Sequence, residues 1–186
     1  MQRYLAEHNL DLVAKTGLGV RTGEDTSRIP DVVVCTQSLL EQAGARPGAG
    51  ILDFEEKPLL VIEVVSQNRR ADYIVKRAEY ELANVPEYVI VDPTPNKQLV
   101  RVLAFVEGEE IYTQTDFVPG QQMVSVVFPN LILSVNEILS PPFVEGLIKE
   151  EQAQLQELEQ RADEQRQRAE RLAAKLRELG VDPDRL

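Results

Sequence analysis

Cysteine, histidine, long apolar runs and net positive charge are all scarce in this chain, and each shortage removes a class of protein. The one cysteine, Cys35, cannot close a disulfide within the chain, and together with the one histidine, His8, it cannot furnish a zinc site of nitrogen and sulfur ligands. A bound metal is therefore expected to be a hard cation on oxygen ligands. The longest apolar stretches, such as Leu59 to Ile62 and Val89 to Val91, fall far short of the roughly 20 residues that cross a bilayer, so no membrane partner is expected. Gln2, Arg3, Glu7 and His8 deny the first residues the apolar run of a secretory signal, which makes cytoplasmic residence the expectation. The net charge of −11 excludes a protein that coats nucleic acid by general attraction. It leaves room for a local basic groove, and Arg69, Arg70, Lys76 and Arg77 fall close together; on charge alone they read equally well as a solvated helix face.

What is present is an apolar content of 43% over 186 residues, enough for one globular domain with an appendage. The first eight residues read as a short helix, and Leu10 to Arg21, broken by Gly17 and Gly19, as a bent strand or hairpin. Gly23 to Ser27 reads as a turn, Ile29 to Thr36 as a strand entered through Pro30, and Ala43 to Gly50, with three glycines and a proline, as a loop. Leu59 to Val65 is a nearly continuous branched apolar run, expected to be a strand buried on both faces. From Arg70 to Ala83, Ala71, Ile74, Val75, Ala78 and Leu82 share one helical arc, predicting a helix packed on the sheet by that stripe. Val85-Pro86 ends it, Tyr88 to Val91 supplies a strand, and Leu99 to Val106 with Ile111 to Phe117 flanks Glu107-Gly108-Glu109 as a hairpin. Met123 to Phe128 and Leu131 to Leu133 are predicted to extend the sheet.

After Pro141-Pro142 the composition shifts to Gln, Glu, Arg, Ala and Leu. Ile148, Glu151, Leu155, Leu158, Ala162, Gln165, Ala169, Leu172, Leu176 and Leu179 follow the three-four spacing of a coiled coil, with Gly180 and Pro183 as its stop. The fold class predicted is α/β, a mixed central sheet flanked by helices with an added hairpin. The domain spans residues 1–146, and a coiled-coil helix over 147–186 implies a homodimer or higher homo-oligomer.

Acidic residues sit where an apolar pattern would not put them. Glu63 interrupts a strand whose neighbours Val61, Ile62, Val64 and Val65 are expected to be buried, and Asp31 follows Pro30 at the start of another. A lone buried carboxylate costs several kcal/mol, roughly, unless cations or donors offset it. A magnesium ion answers this, because it takes one or two carboxylates and keeps sites for water and phosphate oxygens. Asp72, Lys76 and Tyr80 repeat every fourth residue along the following helix, so they line one edge beside its apolar stripe. Taken alone, Asp72 with Lys76 reads better as an ordinary surface pair, and Glu63 alone could be a hydrogen-bonded core acid.

Three segments carry a resemblance: Arg28-Ile29-Pro30-Asp31-Val32-Val33-Val34; Leu60-Val61-Ile62-Glu63-Val64-Val65-Ser66 with Asp72, Lys76 and Tyr80; and Val85-Pro86-Glu87-Tyr88-Val89-Ile90-Val91-Asp92-Pro93. Over roughly the first 140 residues, in this order and spacing, they resemble the Uma-two family of restriction-endonuclease-like proteins in the PD-(D/E)XK nuclease superfamily. The resemblance implies that Asp31 and Glu63 bind magnesium. Val65 stands where the superfamily keeps its lysine, and Lys76 matches the lysine that the Uma-two pattern carries on the next helix. Gln67, Asn68 and Val89 depart from the usual family residues. Family members usually have a longer segment ahead of the position of Tyr4, so the first helix is expected to be partial here.

The expectation is a magnesium-dependent endonuclease acting on DNA, with manganese as a substitute ion. Asp31 and Glu63 would hold the metal with the Val64 carbonyl as third ligand, and Lys76 would act on the attacking water. Asp72 would position Lys76 or a metal-bound water, while Arg69 and Arg70 would contact backbone phosphates. The competing expectations are a nuclease fold that binds nucleic acid without turnover, and an interaction protein whose business is the coiled coil.

Overall fold

The computed structural model describes residues 1–47, 50–141 and 143–178. In chain order the elements are α1 (Gln2–Glu7), β1 (Leu12–Lys15), β2 (Gly19–Gly23), β3 (Thr26–Arg28), β4 (Val32–Thr36), α2 (Gln37–Ala45), β5 (Ile51–Leu52) and β6 (Leu60–Val64). A π-helical turn over Ala71–Val75 runs directly into α3 (Lys76–Leu82). Then follow β7 (Glu87–Asp92), β8 (Leu99–Ala104), β9 (Thr113–Phe117), β10 (Gln122–Val124), β11 (Ile132–Ser134), α4 (Val135–Leu139) and α5 (Val144–Glu178). The chain divides into two compact units, Met1–Pro141 and Pro142–Leu186.

Among the described residues the first unit is built on a six-stranded sheet ordered β1-β4-β6-β7-β8-β9. Within that sheet, among the described residues, only β6 and β7 are parallel and the other pairs are antiparallel. A parallel pair cannot be joined by a tight turn, so the chain between β6 and β7 crosses one face of the sheet as the π-turn and α3. Side chains alternate between faces along each strand, and two cores result. Val33, Cys35, Val61, Tyr88 and Ile90 pack on one face with Leu18, Val20, Leu52 and Tyr80. Val34, Leu60, Val89, Val91, Val100 and Val102 pack on the other with Leu5, Met123, Phe128, Leu131 and Val135.

Leu10 to Arg21 is neither one bent strand nor a hairpin. Gly17 adopts a left-handed φ of +73°, and the turn there sends β1 into the main sheet and β2 into a separate three-stranded sheet ordered β3-β2-β5. Thr26 and Ser27, expected in a turn, belong to β3. Residues 37–45, part of which was expected as loop, form α2. The Thr36 side chain caps it by accepting from the Leu39 N–H at 3.2 Å, and Leu39, Leu40 and Ala43 face the core. Gly48 and Ala49 of that expected loop lie outside the described residues. The hairpin around Gly108 is present as predicted, with Gly108 at φ +87°. The strands β10 and β11 do not extend the main sheet but pair with each other, their Met123 and the neighbouring Leu131 covering the second core.

Two burial expectations fail informatively. Val64 is 45% exposed, because β6 ends there at the rim of the sheet. The stripe Ala71, Ile74, Val75, Ala78 and Leu82 does not face the sheet: Ile74 is 58% and Leu82 79% exposed, while Asp72 and Tyr80 are buried. The edge that carries Asp72, Lys76 and Tyr80 is the inner one. A plain α-helix would rotate Tyr80 about 80° away from Asp72 over eight residues. The extra residue in the π-turn removes that drift and keeps the three in one line over the sheet. The second unit is described as α5, which begins at Val144; Leu179, Gly180 and Pro183 lie outside the described residues.

Candidate active site

Glu63 projects from the penultimate position of β6 onto the face that α3 covers, and it is 3% exposed. The antiparallel register between β4 and β6 pairs Val32 with Ile62, and one step further it sets Asp31 opposite Glu63 on the same face. Pro30, which has no N–H to give, ends the ladder just before Asp31. The Asp31 Oδ2 accepts the Val64 N–H at 2.7 Å, which fixes the carboxylate against the end of β6. Its Oδ1 has no hydrogen-bond partner among the described residues, and the side chain is exposed.

The π-turn and α3 supply the remaining groups. Lys76 Nζ lies 2.9 Å from Glu63 Oε2 and 2.8 Å from Asp72 Oδ1. Tyr80 donates to Glu63 Oε1 at 3.0 Å. Asp72 is almost fully buried, and its Oδ2 accepts from the Ser66 N–H at 3.1 Å and hydroxyl at 3.3 Å. The Tyr88 hydroxyl donates to the Asp72 carbonyl at 2.9 Å, so β7 also holds the π-turn.

Burial pushes the Glu63 carboxyl above its usual range, Lys76 and Tyr80 pull against that, and the charge of Asp31 adds to the rise. The Lys76 ammonium group would lose its proton more easily for being buried, but Asp72 and Glu63 outweigh this and leave it more basic than usual. The Tyr80 hydroxyl is raised as well, first by burial and then by Glu63, so it remains a donor.

Sequence reasoning passed over a second cluster beside this one. Asp92 closes β7 on the same face, fully buried, and accepts from the Tyr73 hydroxyl at 2.6 Å and the Thr94 N–H at 3.0 Å. It pairs with Arg69 at 2.5 Å, and the guanidinium groups of Arg69 and Arg101 each stand 5.1 Å from the centre of the Tyr73 ring. Burial alone would raise the Asp92 carboxyl, yet these donors and the Arg69 charge hold it below the usual range. Arg69, expected as a phosphate contact, is therefore engaged with Asp92 and Thr94, whereas Arg70 is exposed at the start of the π-turn. On the other side, Arg28 makes a two-pronged pair with Glu79 at 2.6 and 2.7 Å, joining β3 to α3. An aspartate closing a buried strand, Val91-Asp92-Pro93, was the available signal for the second cluster. Nothing in the sequence announced the Arg28 pair.

The geometry brings Glu63, Asp72 and Lys76 together, two carboxylates sharing one ammonium group, and sets Asp31 opposite Glu63 across the neighbouring strand ends. Among the described residues no group of three or more His, Cys, Asp or Glu side chains is arranged to hold a metal. Asp31 and Glu63 alone match the donor set of a magnesium ion that keeps most of its coordination for water and phosphate. Val64 contributes its N–H to Asp31.

The model of the Uma2 family, described as putative restriction endonuclease, matches residues 1–136. The chain belongs to the Uma2 family. That match takes in every element from α1 to β11 and stops short of α5. The mixed central sheet with flanking helices agrees with the restriction-endonuclease-like fold of the Uma2 family. No curated protein matches the chain. No described helix is long and apolar enough to cross a membrane.

Proposed function

We propose that this Uma2 protein is a magnesium-dependent endonuclease that hydrolyses DNA phosphodiester bonds, manganese serving as a substitute. The observation that carries the reading is the ammonium group of Lys76 held between Glu63 and Asp72, with Asp31 opposite Glu63 at the end of the next strand. Asp31 and Glu63 would hold the ion, with the Val64 carbonyl as a further ligand. The bound metal would supply Lewis-acid polarisation of a phosphate oxygen and a lowered pKa for the attacking water.

The chain's own residues do the rest. Lys76 presents its positive charge where negative charge develops on the phosphoryl oxygens, and it orients the attacking water. Asp72 and Tyr80 keep Lys76 and Glu63 in place, since their own orientations are fixed from Ser66 and from the core. Arg70, exposed at the head of the π-turn, is placed to meet a backbone phosphate, which positions a duplex without reading its sequence.

The test is nicking of supercoiled plasmid in magnesium and in manganese by the wild type, Glu63→Gln and Lys76→Ala. Metal-dependent nicking that both variants lose supports the assignment. Equal nicking by wild type and Lys76→Ala removes Lys76 from the mechanism, and equal nicking by Glu63→Gln removes the metal site.

A further inference from the structure

Helix α5 lies outside the Uma2 match and forms its own unit, so neither the family nor the sheet accounts for it. It runs unbroken for 35 residues, about 52 Å at 1.5 Å per residue. In proteins most of a helix's stability comes from packing an apolar stripe rather than from propensity. Here Ile148, Leu155, Leu158 and Leu172 are 47, 55, 61 and 55% exposed, and they fall on the heptad seam. A narrow seam of this kind fits another helix carrying the same repeat.

We propose that α5 pairs with α5 of a second copy of this chain in antiparallel orientation, with Leu155 opposite Leu172 and Leu158 opposite Ala169. Charge favours this direction. Residues 144–160 carry five acids and one lysine, net −4, whereas residues 161–178 carry six bases and four acids, net +2. An antiparallel pair lays each acidic half along the basic half of its partner; a parallel pair lays like on like. The seam agrees. In a parallel pair, Glu151 faces its own copy within the interface, a direct repulsion of desolvated carboxylates. In the antiparallel register Glu151 faces Leu176 at the end of the rod, where its carboxylate reaches water. Gln165 then lies opposite Ala162, whose small side chain leaves room for the amide. On the flanks Glu159 meets Arg166 in both halves. Arg161 meets another arginine in either direction, so it does not discriminate, and its own pair with Glu157 at 2.5 Å moderates that contact.

The test uses the full chain. Sedimentation should give the mass of a dimer, and the double variant Leu155→Asp/Leu158→Asp should sediment as a monomer with unchanged near-ultraviolet dichroism from the sheet unit. Orientation is read by oxidation of single cysteine variants, the native Cys35 being fully buried. Leu155→Cys mixed and equilibrated with Leu172→Cys should form a disulfide-linked dimer. Leu155→Cys alone should not, because its two copies would stand about 25 Å apart along the rod. A wild-type monomer, a dimer that survives the double aspartate substitution, or ready self-linking by Leu155→Cys each overturns the proposal, and none of these outcomes bears on the nuclease reading.

Discussion

The Lys76 ammonium group stands 2.9 Å from a carboxylate oxygen of Glu63, an acid that burial alone drives toward its neutral form. The same group reaches Asp72 at 2.8 Å, so two almost fully buried carboxylates depend on one cation. The side chain of Lys76 is 20% exposed, which weakens the pair relative to a fully enclosed one but leaves it far from the solvent-screened limit.

Lys76→Met should separate the chemical from the structural part of this arrangement. Nicking should fall about 100-fold or more if Lys76 acts on the reacting groups. Without metal, the variant should also lose stability at neutral pH, by about 2–3 kcal/mol, because Glu63 and Asp72 keep their burial and lose their cation. The loss should shrink in acid. A carboxyl whose folded pKa is raised contributes stability that is fully present below its unfolded value and disappears as pH rises through the folded value. Removing Lys76 raises Glu63 further, so the deficit should widen from pH 5 to pH 8 in urea unfolding. A deficit independent of pH would mean that Lys76 does not compensate Glu63.

Glu87 offers a second pH test away from the site. It is fully buried at the start of β7, and among the described residues its Oε2 accepts only from neutral donors: the Ser125 hydroxyl at 2.9 Å and the Val126 and Val127 N–H groups at 2.8 and 2.7 Å. Burial pushes its carboxyl up, and these donors restrain it without cancelling the shift. The wild type should therefore lose stability as pH rises above about 4.5 and through the raised folded value. Glu87→Gln cannot ionise, so its stability should fall less over that window. Parallel wild-type and variant curves would show that Glu87 does not titrate there.

The strands at the centre of the sheet were legible because their apolar runs leave no other placement, and Glu63 and Asp31 stood out as charges against that background. The Lys76 position was legible as a four-residue repeat. The face of its helix was not. Ile74, Val75, Ala78 and Leu82 form the better apolar stripe, and periodicity assigns the core to the better stripe. Here the π-turn and the mutual satisfaction of Glu63, Lys76, Asp72 and Tyr80 turn the polar edge inward. Arg28 with Glu79 and Asp92 with Tyr73 join residues 51 and 19 positions apart, contacts that no local pattern encodes.

Asp92→Asn tests whether the second cluster positions the first. Asp92 holds Arg69 and Tyr73, which flank Asp72 on both sides in sequence, so its charge anchors the turn that carries Asp72 and leads into α3 at Lys76. Losing a charge-assisted network at a fully buried site should cost about 1.5–3 kcal/mol. Because the carboxyl of Asp92 is held low, its contribution is present above about 3.8 and lost as pH falls through the still lower folded value. The variant should then match the wild type only in strong acid. Nicking should decline with metal affinity unchanged, and a variant with weakened metal binding would place Asp92 among the ligands.

Metal titration distinguishes the roles inside the first cluster. Among the described residues Asp31 keeps one oxygen without a partner, and its neighbour across the strands is Glu63, so the two acids repel each other until a cation joins them. Calorimetry with magnesium or manganese should therefore show binding by the wild type that Asp31→Asn and Glu63→Gln each weaken at least about tenfold, a difference of roughly 1.4 kcal/mol. Lys76→Met should behave in the opposite way. Removing the ammonium group takes a competing positive charge from beside Glu63, so its metal affinity should hold or rise while its nicking is lost. Asp72→Asn lies between these cases, because it frees Lys76 to pair with Glu63 alone and should weaken both properties modestly. If Lys76→Met loses metal binding while Asp31→Asn retains it, the ion is not held by the strand carboxylates, and the hydrolytic site must be sought elsewhere on the sheet.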